Sequence, residues 1–283
     1  MTQEVSNMAE PKVRSPVCAD DRWYPAAPKA LRRQVKEYIA SAPALELPGD
    51  VVGLVAPHAG YFFSGHVAGA GYRQVQRDSF ETVVLIGPDH RGITFGGFAF
   101  ADYDAWRTPL GDVPVDAEVV AALDERLSLK RVERDSEHSL EVQLPFLQTA
   151  LTEFKLVPIM MGDPSPAACQ ELGLAVADAV RDRPALLVAS TDLSHFYGYD
   201  HAKRLDKHTL EPILDFDPEG LAEDLKRTQA YACGGGPVVA VMIAARELGA
   251  SQAHLVKYAN SGDVWEDKSQ VVGYAAVALT RNQ

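Results

Sequence analysis

The chain alternates short runs of β-branched and aliphatic residues with longer segments whose apolar residues recur every three or four positions. The first pattern reads as buried strands and the second as amphipathic helices. Apolar runs at 51–56, 82–87, 156–161 and 185–189 are the clearest strands. Helical spacing predicts a helix over 28–42, with Leu31, Val35 and Ile39 on one face, and others over 116–126, 137–151 and 166–181. Asp116 is placed to cap the second of these. Pro145, inside the third, predicts a kink or an early stop. A run of small residues at 65–71 predicts a helix lying close on the sheet, with Ser64 as its cap. The glycine- and aromatic-rich stretch 92–103 reads as a hairpin or an edge strand, and 108–112 as a turn. Two helices are expected over 200–227, the second opening at Asp217-Pro218. A buried helix over 238–248 and strands at 253–258 and 270–280 complete the chain. Residues 1–12 are polar and read as a disordered tail. No repeat, linker or break in composition divides the rest. Residues 13–283 are therefore expected to form one α/β domain, a central mostly parallel or mixed β-sheet flanked by helices.

Three of the strands end in the same way. The run 51–56 is followed by Pro57-His58, and 82–87 by Pro88-Asp89-His90. The run 185–189 leads into Ser190-Thr191-Asp192-Leu193-Ser194-His195. Ligands of open α/β sheets bind in the crevice beyond the carboxyl ends of the strands, so three strand-end histidines imply one shared site. We take that site to hold a metal, because neutral imidazole suits iron, copper and zinc alike. Taken alone, each of His58 and His90 reads more readily as a hydrogen-bonded structural histidine; their recurrence in the same setting reverses that in favour of function. Asp192 near His195 matches a general acid/base whose tautomer is fixed by a carboxylate. The bland alternative, Thr191 or Asp192 capping a short helix, is compatible with that role.

Cys233 precedes Gly234-Gly235-Gly236-Pro237, a turn that permits close backbone approach before a helix. A thiol near a helix N-terminus or a metal is available as thiolate, whereas a buried thiol in apolar surroundings is inert; both readings stand for Cys233. On a helix over 137–151, His138 and Glu141 would share a face at i, i+3, suited to supporting the ligands or binding substrate. This is not the i, i+4 histidine pair of zinc proteases. Trp23-Tyr24-Pro25 reads as an extended segment able to lay aromatics over a pocket. His66, His201, His208 and His254 are assigned surface or core roles, and Cys18 and Cys169 structural ones.

Bulk composition narrows the partners. The 283 residues, 47% hydrophobic, can bury a full core. A net charge of −12, from 27 Lys+Arg against 39 Asp+Glu, argues against nucleic acid or an anionic membrane as partner. Three widely spaced cysteines fit a reducing compartment. No signal-peptide core and no apolar run of about 18 residues is present, and the expectation is a cytoplasmic protein.

The motifs together resemble the Memo family: Ala56-Pro57-His58-Ala59-Gly60-Tyr61, Gly87-Pro88-Asp89-His90, Glu137-His138-Ser139-Leu140-Glu141, Ser190-Thr191-Asp192-Leu193-Ser194-His195 and Cys233-Gly234. Trp23-Tyr24-Pro25, Asn260-Ser261-Gly262 and Gly273-Tyr274-Ala275 also match, so the resemblance spans about residues 13–280. Prokaryotic members are often labelled AmmeMemoRadiSam system protein B. The resemblance implies a fold like the class III extradiol dioxygenases, non-haem Fe(II) enzymes that open catechol rings. It places His58, His90 and Cys233 as metal ligands, with Cys233 where those enzymes use a carboxylate. His195 takes the position of their acid/base histidine with Asp192 beside it, and Trp23 the pocket mouth. Tyr61, His138 and Glu141 become candidates for binding substrate or supporting the ligands. The family also implies AMMECR1-like and radical-SAM partner proteins; a homo-oligomer is a further expectation.

Thiolate in place of carboxylate softens the site, favouring copper or zinc more than the dioxygenase set does. The leading expectation is an Fe(II)-dependent, dioxygenase-like oxidoreductase acting on an unknown small, phenolic or similar molecule. The alternatives are a non-catalytic metal-binding, redox or partner-binding module, and a zinc hydrolase using bound water.

Overall fold

A computed structural model describes residues 10–76, 79–227 and 231–282. Most of the expected tail, residues 1–9, lies outside the described residues. Of the remainder, Lys12 is held by its backbone N–H, which donates to the Asp104 carboxylate at 2.6 Å.

The elements follow in the order β1 Val13–Arg14, α1 Pro28–Ala40, β2 Asp50–Ala56, α2 Tyr61–Arg73, β3 Thr82–Pro88, β4 Phe98–Ala101, β5 Ala105–Thr108, β6 Gly111–Pro114, α3 Ala117–Leu127 and β7 Lys130–Val132. Then come α4 Leu144–Ala150, β8 Lys155–Met161, α5 Pro166–Val180, β9 Ala185–Ser190, β10 His195–Tyr197, α6 Tyr199–Leu214, α7 Pro218–Lys226, α8 Gly235–Glu247, β11 Gln252–Asn260 and β12 Val271–Arg281. Among the described residues, nine strands form one mixed sheet in the order β10-β12-β2-β9-β3-β8-β4-β7, with β11 paired to β12; β1, β5 and β6 form a separate small sheet.

The centre of the large sheet is parallel: β2 pairs with β9, β9 with β3 and β3 with β8. Alternating side chains of these strands enter two cores. Val84, Ile86, Leu187 and Ala189 pack against apolar residues of α3, α5, α7 and α8. Val83, Leu85, Leu186 and Val188 pack against α1, α2 and α4. Burial on both faces is why these strands read as continuous apolar runs. The chain is thus a single α/β domain with a mixed sheet between two helical layers. No helix among the described residues is long and apolar enough to cross a membrane.

Three local expectations are corrected. Helix α2 begins at Tyr61 with Gly60 at its N-cap, so Ser64 is interior to it and donates its hydroxyl to Ala59 O at 3.0 Å. Of the glycines in this helix, Gly71 lies against Ala276 of β12 as expected, whereas Gly65 and Gly69 lie against Tyr38 of α1. The helix expected over 137–151 is reduced to a 3-10 turn at Glu141–Gln143 followed by α4, with Pro145 in the first turn, where its missing N–H costs nothing. Strand β4 is not an edge, since β8 and β7 flank it.

Candidate metal centre

The adjacency of β2, β9 and β3 brings His58, the Asp192–His195 segment and His90 to one end of the sheet. Cys233 arrives from the opposite helical layer, at the start of α8. Gly234 makes that approach possible: a Cβ there would lie 2.2 Å from Ser190 O at the end of β9. The turn is stitched to the strand end by Cys233 N–H donating to Asp192 O at 3.2 Å and Gly234 N–H donating to Thr191 Oγ1 at 2.9 Å. One donor atom from each of His58, His90 and Cys233 then falls within 4.8 Å of the other two. The rings of His58 and His90 stand edge to face with centroids 5.2 Å apart.

Hydrogen bonding decides which nitrogens are free. Ser190 Oγ donates its proton to Ser139 O at 2.6 Å and accepts from Gln143 Nε2 at 2.8 Å. Having no second proton, it accepts from His58 Nδ1, 3.0 Å away, which leaves the His58 Nε2 lone pair exposed to Cys233 Sγ at 3.2 Å. The Glu137 carboxylate likewise accepts from His90 Nδ1 at 3.0 Å, and Leu193 O from His195 Nδ1 at 2.8 Å. All three imidazoles therefore carry Nδ1–H and leave Nε2 free, the arrangement typical of metal-ligating histidines with a fixed outer partner.

The electrostatics agree. Burial, then the neighbouring His138 and His90, depress His58 well below its ordinary value, so it stays neutral and ligand-ready. Burial and the Asp192 charge push the Cys233 thiol up to about 12, although Asp192 N–H donates to Sγ at 3.3 Å. In this state the thiol has two acceptors in reach, His58 Nε2 at 3.2 Å and Asp192 O at 3.6 Å. Two imidazole nitrogens and one soft sulfur at this separation fit a divalent transition metal, which would displace the thiol proton.

Glu137 supports the centre, and sequence reasoning gave it no role. It is fully buried beside a His90 that is 30% exposed. Oε2 accepts the backbone N–H of His90 at 2.7 Å, and Oε1 accepts those of His138 and Ser139, each at 2.9 Å. Burial alone would raise its pKa, but the His90 ring and Ser139 N–H outweigh that and hold it down to about 2. With its oxygens so committed, the trio His90, Glu137 and His138 is a scaffold for His90 rather than a second metal cluster. Ser190 and Gln143 were also unassigned; their signal is a hydroxyl and an amide within motifs that carry the histidines.

The expected pairing of Asp192 with His195 is not formed. Leu193 and Ser194 pair with Gly273 of β12, which draws His195 away on an extended arm. The Asp192 carboxylate instead accepts the backbone N–H of His58 at 2.8 Å, and burial raises it to about 7. His138 and Glu141 do not share a helix face, because the helical turn opens only at Glu141 and His138 lies before it. His138 lies in the site, stacked on His90 with centroids 4.7 Å apart and tilted 34° against Trp23 at 4.3 Å. Burial holds it down to about 4. Glu141 points the other way, into a buried cluster with Arg14, the Tyr24 hydroxyl and the N–H groups of Val17 and Cys18. This cluster ties down the segment that carries Trp23. The Tyr61 hydroxyl donates to Val142 O at 2.7 Å, in the core beneath the site.

Fold and site define an α/β protein with a histidine- and cysteine-lined centre beyond the carboxyl ends of its parallel strands. The profile of the Memo-like protein family matches residues 14–278, and the chain belongs to that family. It is 40% identical over 286 residues to a MEMO1 family protein of Methanopyrus kandleri, covering 95% of this chain and 99% of the relative. A MEMO1 family protein of Methanosarcina mazei is 37% identical over 272 residues, with the same coverage of 95% and 99%. Among solved structures, an uncharacterized protein of Escherichia coli K12 superposes with a TM-score of 0.53 at 14% identity, covering 81% of this chain and 99% of that one, a likeness of fold alone.

Proposed function

We propose that the chain is a metal-dependent oxidoreductase whose centre takes Fe(II) on His58 Nε2, His90 Nε2 and Cys233 Sγ, and that it acts on a small hydroxylated, phenol-like molecule. The observation that carries this reading is the shared tautomer of His58, His90 and His195, each with Nδ1–H committed and Nε2 free. When bound, iron supplies a Lewis-acidic, redox-active point with open positions beside these side chains.

The chain's own residues do the rest. His195, carried on the segment that follows β9, has an unprotonated Nε2 and a pKa lowered by burial, as a base for a substrate hydroxyl requires. Trp23 and His138 form an aromatic wall beside the ligands. Glu137, Ser190 and Asp192 hold His90 and His58 in place.

The test is O₂ consumption by protein reconstituted anaerobically with Fe(II), across catechols and related hydroxylated aromatics, for wild type and His195→Gln. The reading expects uptake above that of free iron with at least one substrate, and a loss of about 100-fold or more in the variant with iron retained. No uptake with any substrate, or an unaffected variant, would sink it. A second reading, non-catalytic handling of copper or zinc, is favoured by the soft sulfur of Cys233; it predicts stoichiometric metal and no reaction with O₂.

A further inference from the structure

His195 stands beyond the end of β9 on an arm held differently from the other two histidines. The rings of His58 and His90 are fixed by side chains from other segments, Ser190 and Glu137. The His195 ring N–H is satisfied inside its own arm, by Leu193 O. The ring is thus set relative to the arm, and whatever fixes the arm fixes where Nε2 lies.

Two anchors hold it. One is backbone pairing with β12, where Leu193 N–H donates to Gly273 O and Gly273 N–H donates to Ser194 O, each at 2.9 Å. The other is Asp206, a fully buried carboxylate on α6. Its Oδ1 accepts the Ser194 N–H at 2.8 Å and its Oδ2 accepts the Tyr258 hydroxyl at 2.7 Å. Burying a carboxylate is costly unless it is bonded, and Asp206 places one of its few bonds on the residue directly before His195. Space for that reach is specific. A Cβ at Gly273 would lie 2.0 Å from Asp206 Oδ2, so only glycine in the Gly273-Tyr274-Ala275 motif leaves the carboxylate room. Directly after His195, Phe196 sits at φ +64° and is 68% exposed. A phenylalanine in the left-handed region persists where its surroundings over-determine the backbone, and the paired, anchored arm supplies that constraint.

We propose that Asp206 is the positioning residue of His195, with Gly273 providing the space and Tyr258 the opposing bond. This rests on the reading of His195 as a group that works at the centre. It assigns to Asp206 the orienting task that the sequence pattern gave to Asp192, whose carboxylate serves His58 instead.

The test is NMR of histidine-labelled full-length protein loaded with Zn²⁺, comparing wild type with Asp206→Asn, Gly273→Ala and Tyr258→Phe, and assigning His195 through His195→Gln. Asp206→Asn keeps the volume and removes the charge; Gly273→Ala displaces the carboxylate while retaining it. Both are expected to shift or broaden the His195 signals, with Tyr258→Phe producing a smaller change, while the His58 and His90 signals and the zinc content stay as in wild type. Unchanged His195 signals in folded Asp206→Asn protein would overturn the proposal. So would equal displacement of His58, His90 and His195, which makes Asp206 a general packing residue. The same comparison without metal reads the arm alone, so a failure to bind zinc counts against the metal centre and leaves this result intact.

Discussion

Glu137 accepts from His90 twice, from its backbone N–H at 2.7 Å and from its ring Nδ1 at 3.0 Å. One buried carboxylate thereby fixes the position, the tautomer and the basicity of a strand-end imidazole. Outer carboxylates of this kind are typically worth 10- to 100-fold in metal affinity. Glu137→Gln keeps the shape and removes the charge. Zinc affinity, measured by competition with a chromogenic chelator, is expected to fall by about that factor. Unchanged affinity would remove His90, or its carboxylate partner, from the account.

The same residue gives the metal-free protein a pH signature. Glu137 is held down to about 2 against an unfolded value near 4.5, so its stabilisation is complete above about pH 5 and disappears as pH falls toward 2. The stability advantage of wild type over Glu137→Gln is expected to shrink by ~3 kcal/mol across that window. His138, held down to about 4 by burial against the opposing pull of Glu137, costs stability as pH falls below 6.5 because the unfolded chain takes up its proton first. Glu137→Gln loses that pull, so the cost is larger there and offsets part of the shrinkage. Urea unfolding at a series of pH values reads the difference; parallel curves for the two proteins would contradict it.

Ser190 sets the tautomer of His58. Ser190→Ala removes the acceptor of Nδ1–H and a partner of both Gln143 Nε2 and Ser139 O. Zinc affinity is expected to drop by about tenfold or more, with a stability loss of ~1–3 kcal/mol from the buried groups left unpaired. A stability loss with full affinity would mean that His58 does not depend on this lock.

Glu141 separates fold from site. Its carboxylate pairs with buried Arg14, which keeps Asp135 as a second partner. Glu141→Gln is expected to cost about 3 kcal/mol in chemical denaturation while the folded protein retains its full zinc stoichiometry. Loss of metal without loss of stability would reverse the assignment and return Glu141 to the site.

Much of the centre was legible because its geometry is local. A fully buried parallel strand is a continuous apolar run, and a histidine placed just after it can only stand at the sheet's end; His58 and His90 needed nothing more. The supporting residues were hidden because their partners are remote. Nothing in the segment 190–195 shows that Leu193 and Ser194 pair with Gly273, so Asp192 looked like the companion of His195. The i, i+3 spacing of His138 and Glu141 suggested one helix face, but the helical turn opens only at Glu141, and His138 sits in the non-helical lead-in where Glu137 folds back on its neighbours' N–H groups. Strand β4 looked like an edge because β7, which covers it, comes from beyond α3.

Metal content after anaerobic purification, determined by elemental analysis for wild type, His58→Ala/His90→Ala and Cys233→Ser, tests the central claim most directly. The account predicts close to one transition metal ion per chain in wild type, iron if the oxidoreductase reading holds, with the double variant empty and Cys233→Ser strongly depleted. Equal metal in all three proteins, or none in wild type even after reconstitution, would contradict a centre built on these residues.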